Sequence, residues 1–312
     1  MMADYLDIRS LLLVSLACVS LCGCSDAPQA EKLAQPKNET PIVLTVNYPI
    51  QYFAERIAGS LLGERLKIKL PVDRDVDPAF WKPSSAAISE FQKADLILLN
   101  GATYAKWTEI ASLPEEKMID TSASFKNRYI EIEEAFVHQH GPEGEHSHAG
   151  TAFTTWLDFQ QAKIQASAIR DALVKLLPDQ QEALQSNFET LAADLDSLDQ
   201  QMLAACKKHE SKPIVTSLPI YQYFARRYKM NTKSLQWESE MKIAETDLND
   251  LKKILDTHPA KLMIWDADPG ETNRKLLLEK LGLRCTIISP CFNFGERDWL
   301  SVMKQNIKNL SS

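Results

Sequence analysis

Histidine is scarce in this chain and so is glycine: six and ten residues among 312. No G-x-S-x-G, H-E-x-x-H or G-x-x-x-x-G-K-[ST] string occurs. The usual marks of serine hydrolases, zincin proteases and P-loop nucleotide binding are therefore missing, and the chain does not read as an enzyme. Basic residues are outnumbered by acidic ones, for a net charge of −7, and they form no cluster. Nucleic acid is excluded as a partner, because phosphate contacts need a concentrated Lys/Arg face. Beyond the first two dozen residues no apolar run approaches the length of a membrane span.

The leader is one exception to this plainness. "LLLVSLACVSLCG", residues 11–23, is an apolar run behind Arg9, with the length of a signal-peptide core. It ends in "LCGC", which resembles a bacterial lipobox. Residues 1–23 are thus predicted to be a lipoprotein signal peptide, with Cys24 lipidated as the first mature residue and the chain held at a membrane. Residues 24–40 are polar, hold two prolines with a third at Pro41, and lack an apolar period, and they read as a flexible tether. Three cysteines remain in the body, Cys206, Cys285 and Cys291. Outside the cytoplasm one disulfide among them is plausible, with the pair left open.

The body alternates strand-like and helix-like patterns, the signature of parallel α/β construction. "PIVLTVNY" (residues 41–48) is a β-branched apolar run, and Ile50, Phe53, Ile57 and Leu61 then share one helical face. "LKIKLPV" and "DLILLNG" read as strands around a helix capped by Ser84 or Ser85. Helical spacing runs from Phe159 to about Leu177. Pro178 breaks it, and Asp179 is placed to cap a second helix that continues to about Glu210 without Gly or Pro. Its apolar residues, Leu184, Phe188, Leu191, Leu195, Leu198, Met202 and Leu203, make one packing face. The strand–helix pattern then restarts: "KPIVTS", "IYQYFARRYKM", "AETDLNDLKKILDTH", "KLMIWD", "TNRKLLLEKLG" and "RCTIISP". The predicted fold is α/β, with two lobes of mainly parallel sheet flanked by helices and joined by one long rigid helix. The first lobe spans residues 41–177, the linking helix 178–210 and the second lobe 211–312. A ligand would sit between the lobes, at the carboxyl ends of the strands.

The segments "VNYPIQYFAERIAG", "DVDPAFWKPSSAAISEFQKADLILLNGATYAKW", "AFTTWLDFQQAKIQA" and "VTSLPIYQYFARRYKM" together resemble the zinc/manganese solute-binding proteins of bacterial ABC importers. The likeness covers about residues 42–310. It implies an extracytoplasmic protein that captures Zn²⁺ and passes it to a membrane permease and its ATPase. It also implies a location in the periplasm or at the cell surface, as a monomer. The family's cleft ligands do not carry over. Ala79 stands where the first histidine follows "DP", Thr154 where the second precedes "WLD", and Leu218 where the third opens the "YFARRY" helix. For the carboxylate ligand "IWDAD" offers Asp266 or Asp268, while Ser289 stands where many members have Asp. Ala and Leu cannot ligate, and a neutral Thr is a poor ligand for Zn²⁺. The usual cleft site is predicted to be absent.

The histidines lie elsewhere. "HQHGPEGEHSHAG" (residues 138–150) holds four of the six. In extended chain, residues two apart point to one side, so each H-x-H presents two imidazoles together. The Gly-Pro-Glu-Gly centre favours a turn. Folded back, His138, His140, His146 and His148 could surround one ion, with Glu143 or Glu145 adding an oxygen; imidazole suits Zn²⁺, Cu²⁺ and Ni²⁺, geometry alone does not choose, and the resemblance points to Zn²⁺. This loop is the predicted metal site or antenna, and Asp266 an auxiliary ligand. Tyr52, Trp81, Thr154, Trp156, Leu218 and Trp237 are candidates to line the cleft, with Phe80 and Tyr221 beside them. Two alternatives stand: a cleft reassigned to an organic solute or metal chelate, on which those aromatic rings would stack, and a metal chaperone or buffer with no transport role. His209 and His258 read as helix-end residues, favourable against the helix dipole.

Overall fold

The structure is a computed structural model, and it describes residues 40–132 and 150–312 together with the backbone of two short strands between them. Cys24, the leader and the tether before residue 40 lie outside the described residues.

The first lobe is built on β1 (Ile42–Thr45), β2 (Lys67–Lys69), β3 (Leu96–Leu99) and β4 (Met118–Asp120). Their order is β2-β1-β3-β4, parallel throughout, with Val43 opposite both Ile68 and Leu96. Helix α1 (Tyr48–Ala58) starts where Asn47 accepts the Ile50 amide at 3.1 Å, and Pro49 in its first turn is pre-set for a helix. It stops at Gly59, at φ 54°, where a Cβ would meet the Asn187 amide at 2.6 Å. Helix α2 (Ser85–Lys93) takes Ser84 as its cap, through the Ala87 amide at 3.2 Å. A short α3 (Trp107–Ile110) follows β3. Two small antiparallel pairs come next: β5 (Glu131–Ile132) with β8 (Gly150–Thr151), and inside them β6 (Val137–Gln139) with β7 (Glu145–Ser147).

Helix α4 (Phe159–Leu176) is capped by Asp158, which accepts from the Gln160 and Gln161 amides. The linking helix α5 runs over Gln181–Lys207, about 40 Å at 1.5 Å per residue, and stops short of Glu210. Asp179 does not cap it. Its N-cap is Gln180, which makes no side-chain cap, and the Asp179 carboxylate instead pairs with Arg65 at 2.7 Å. Leu184, Leu191, Leu195, Leu198 and Met202 form its buried stripe, while Phe188 and Leu203 sit at the edge of that stripe, half-buried.

The second lobe repeats the first. It comprises β9 (Pro213–Thr216), α6 (Gln222–Tyr228), β10 (Asn231–Ser234), α7 (Glu245–Thr257), β11 (Leu262–Trp265), α8 (Gly270–Leu281), β12 (Arg284–Ile287) and α9 (Trp299–Ser311). The order β10-β9-β11-β12, again all parallel, is the order of the first sheet. One apolar core runs through α1, α4, α5, α6 and α9, and Phe53, Phe159 and Trp299 meet within it at 4.9–5.9 Å. Cys206, Cys285 and Cys291 are all free thiols, so no disulfide joins them. Burial pushes the Cys206 and Cys291 thiols up to about 12, and both behave as small apolar groups. Among the described residues no helix is long and apolar enough to cross a membrane.

Candidate functional site

The carboxyl ends of the two sheets face a seam, where the connections from strand to helix bring the family-pattern positions. On the first side, Asn100 follows β3, fully buried. Its Oδ1 accepts from Asn47, Thr155 and Gln165, and its Nδ2 donates to the Phe153 carbonyl at 3.0 Å. Gln165 also donates to Thr121 Oγ1 at 3.0 Å. Every member is both buried and bonded, so this network fixes the chain at 153–155 rigidly. The next residue of the seam, Thr154, is 1% exposed, and its hydroxyl donates to the Ile220 carbonyl of the second lobe. Ala79 packs against the core, its amide bonded to Asp77 Oδ1 at 2.9 Å. Leu218 is buried.

On the second side Asp266, at the end of β11, accepts from Ser217 Oγ at 3.3 Å and is half-buried. Glu238 enters beside it, on the segment that follows β10, where the Trp237 amide donates to the Ser217 carbonyl at 2.8 Å. Burial, then the carboxylates of Asp266 and Glu240, push the Glu238 carboxyl up to about 7. Asp268 is turned to its own helix. It accepts from the Gly270 amide and from Arg274, and those donors hold its carboxyl below the usual range. Ser289 is tied to Asn306 through its amide and carbonyl.

The aromatic candidates divide. Tyr52 is buried against Trp299 at 5.8 Å, with its hydroxyl accepting from Arg56. Trp156 is fully buried and donates across the seam to the Pro290 carbonyl at 2.7 Å. Tyr221 donates to the Ile288 carbonyl at 2.8 Å, and Phe80 packs on Phe153. Trp81 is placed elsewhere: it lies edge-on to Trp107 at 5.6 Å, in the separate cluster of Leu44, Phe91 and Ile97. Trp237 packs on Trp265 at 6.2 Å inside the second lobe's own cluster. Among the described residues the buried Tyr104 hydroxyl has no hydrogen-bond partner; it sits among Phe153, Trp156 and the Asp77 charge.

Among the described residues no group of three or more His, Cys, Asp or Glu converges to hold a metal ion. The described residues of the seam therefore do not fit zinc: they offer Asp266 and Glu238 but no imidazole. His209 and His258 are also committed, to the carbonyls of Leu310 at 3.2 Å and Ile214 at 3.0 Å. In the β6–β7 hairpin, His138 stands directly opposite His146, and Gln139 opposite Glu145. His140, Glu143 and His148 lie outside the described residues.

Two parallel α/β lobes on a linking helix, with the carboxyl ends of their strands toward the seam, define the fold class. A family model described as zinc-uptake complex component A, periplasmic (ZnuA), matches residues 43–312, and the chain belongs to that family. The family is one of extracytoplasmic transport components, not enzymes. The chain is 25% identical over 318 residues to the high-affinity zinc uptake system protein ZnuA of Bacillus subtilis, covering 96% of this chain and 95% of that protein. It is 23% identical over 319 residues to the zinc-binding lipoprotein AdcA of Streptococcus pneumoniae, covering 96% of this chain but 60% of that longer protein. In fold it is similar to the metal-dependent lipoprotein YcdH of Bacillus subtilis (TM-score 0.71, 20% identity, 87% of this chain and 98% of that one). It is equally similar to the Zn(II)-bound ZnuA-like domain of the pneumococcal AdcA (TM-score 0.70, 18% identity, 88% and 100%).

Sequence reasoning missed Asn293, whose amide reaches the first lobe from the second. Nothing around it in "CFNFGERD" marks that role. It also missed the Asn100 network, although "LLNG" after a strand points to a buried polar end.

Proposed function

We propose that the chain is an extracytoplasmic zinc-binding lipoprotein, anchored through Cys24, that delivers Zn²⁺ to the permease and ATPase of an ABC importer. Its principal metal site is the histidine hairpin rather than the seam. The observation that carries this reading is the register that opposes His138 and His146. Directly opposed residues of an antiparallel pair share a face and stand about 5 Å apart, close enough for one ion to bridge two imidazoles. His140 and His148, each two residues away in sequence, are the candidates to complete the site. Glu143 and Glu145 are the loop's candidate carboxylates, and Asp266 is an auxiliary candidate. The names of the relatives, a zinc-uptake component and a zinc-binding lipoprotein, support both the metal and the anchor. Imidazole ligands must be neutral to bind, so the site releases metal as pH falls through the histidine range.

A calorimetric zinc titration tests this on the mature chain beside a variant lacking residues 138–148. The intact chain binds and the deletion does not, and the paired change H138A/H146A weakens binding by at least about tenfold. Equal binding by chain and deletion would move the site to the seam, with Asp266 the first residue to replace. Absence of binding in both would remove the metal function.

A further inference from the structure

The two lobes are joined by direct bonds at the very places where the family pattern expects ligands. Val76 lies just ahead of Ala79, and its carbonyl accepts from Asn293 Nδ2 at 2.7 Å. The carbonyls of Asp73 and Arg74 accept from the same nitrogen at 2.8 and 3.0 Å. Thr154 itself donates to Ile220, just past Leu218. Trp156 donates to Pro290, the neighbour of Ser289. The Tyr48 amide adds a backbone bond to the Phe292 carbonyl at 3.0 Å, and the Tyr223 hydroxyl donates to the Ala152 carbonyl at 2.9 Å. Around Asn293, Phe294 lies 6.4 Å from the Tyr48 ring and takes the Arg74 guanidinium over its face at 5.4 Å.

We propose that residues 290–294 are a built-in latch, with Asn293 its principal donor, and that this latch holds the two lobes together independently of metal. An amide NH₂ has two protons, and here three carbonyls converge on it, so no other neutral side chain of that size satisfies the loop as well. The orientation of the amide is set, because Asn293 Oδ1 accepts from the Phe294 amide at 2.8 Å and its nitrogen is left facing the carbonyls. The loop at 73–76 and the loop at 290–294 are thus fastened by donors the chain carries itself. The seam is a fixed joint, and metal capture at the hairpin does not depend on its opening.

Tyr48 offers a specific reporter. It sits in the first turn of α1, where amides have no partner within the helix, so its protection from exchange depends on the Phe292 carbonyl across the seam. Hydrogen exchange of the mature chain should show the same Tyr48 protection in chelator and in excess zinc. In N293D, which turns a carboxylate toward three carbonyls, Tyr48 should exchange about tenfold or more faster, while the buried Leu98 amide of β3 is unchanged. If N293D also loses Leu98 protection, N293A decides in its place, with the same split expected. The latch is refuted if chelator alone speeds Tyr48 exchange in the unaltered chain by that amount. It is equally refuted if neither Asn293 variant changes Tyr48 while Leu98 stays protected.

Discussion

Two regions tie the lobes of this protein together, and they do it with different chemistry. At the seam the bonds run from neutral donors to backbone carbonyls: Thr154 to Ile220, Trp156 to Pro290, Asn293 to three carbonyls. At the hub, where α4, α5 and α6 meet, a charge is buried. Asp199 of the linking helix is 0% exposed and accepts from Arg227, from Tyr228 at 3.1 Å and from Gln160 at 3.2 Å. The Asp158 cap also lies within 4.0 Å of Arg227. Neutral bonds to carbonyls contribute about 1 kcal/mol each and can be lost singly. A buried carboxylate cannot lose its partner so cheaply, because its charge has left water.

The sharpest way to break this contrast is R227M. Removing the guanidinium leaves Asp199 buried, with the Tyr228 hydroxyl and the Gln160 amide as its remaining donors, and the expected cost is about 3 kcal/mol of global stability. D199N should cost less, since the freed Arg227 is 31% exposed on its side chain and can turn to water. Chemical denaturation of both variants checks the order. A cost for R227M no larger than about 1 kcal/mol would make the hub equivalent to the seam and end the distinction.

The seam's own charged element gives the next effect. The Glu238 carboxyl is raised from 4.5 to about 7 in the folded chain, chiefly by burial and then by Asp266 and Glu240. The folded state therefore holds a proton that the unfolded state releases. Stability from this group is highest below about 4.5 and declines as pH rises through 7. E238Q removes the decline. It should match the unaltered chain near pH 4.5 and exceed it by about 2 kcal/mol at pH 8, after allowance for the group's partial exposure. Equal pH profiles for the two proteins would show that Glu238 is solvated and that the seam holds no strained charge.

The difference between hub and seam also marks what sequence can reveal. The sheets were readable because β1, β3, β9 and β11 are short apolar runs and their helices carry periodic faces. The strand β10, "NTKS", was not, since an exposed edge strand has no apolar alternation to display. Ser84, one of the two expected caps, starts its helix and Gly282 ends its own, whereas Asp179 was captured by Arg65, a partner more than a hundred residues away that local pattern cannot show. The same limit governs the site. The substitutions at Ala79, Thr154 and Leu218 were visible because a motif frames each of them. That Thr154 would bond Ile220, or that Asn293 would gather three carbonyls, depends on the closed arrangement of two lobes. Trp81 shows the complement: an aromatic residue beside a cleft motif packed against Trp107 on the other face of the sheet, because a Trp in sequence carries no sign of which face it joins.

The smallest effect tests how well the seam is satisfied. Tyr104 is buried, its hydroxyl has no hydrogen-bond partner among the described residues, and its ring lies edge-on to Phe153 and Trp156. Burial and the Asp77 charge keep it protonated far above the usual tyrosine range, so the group is a neutral donor at any ordinary pH. An unsatisfied buried hydroxyl costs about 1 kcal/mol or more, and the phenyl ring alone makes the same edge-to-face contacts. Y104F should therefore raise stability by about 1 kcal/mol, read as a higher denaturation midpoint at unchanged slope. A loss of stability would mean that the hydroxyl has a partner in solution. The seam would then contain a polar guest, and its neutral bonds would enclose something rather than merely join two walls.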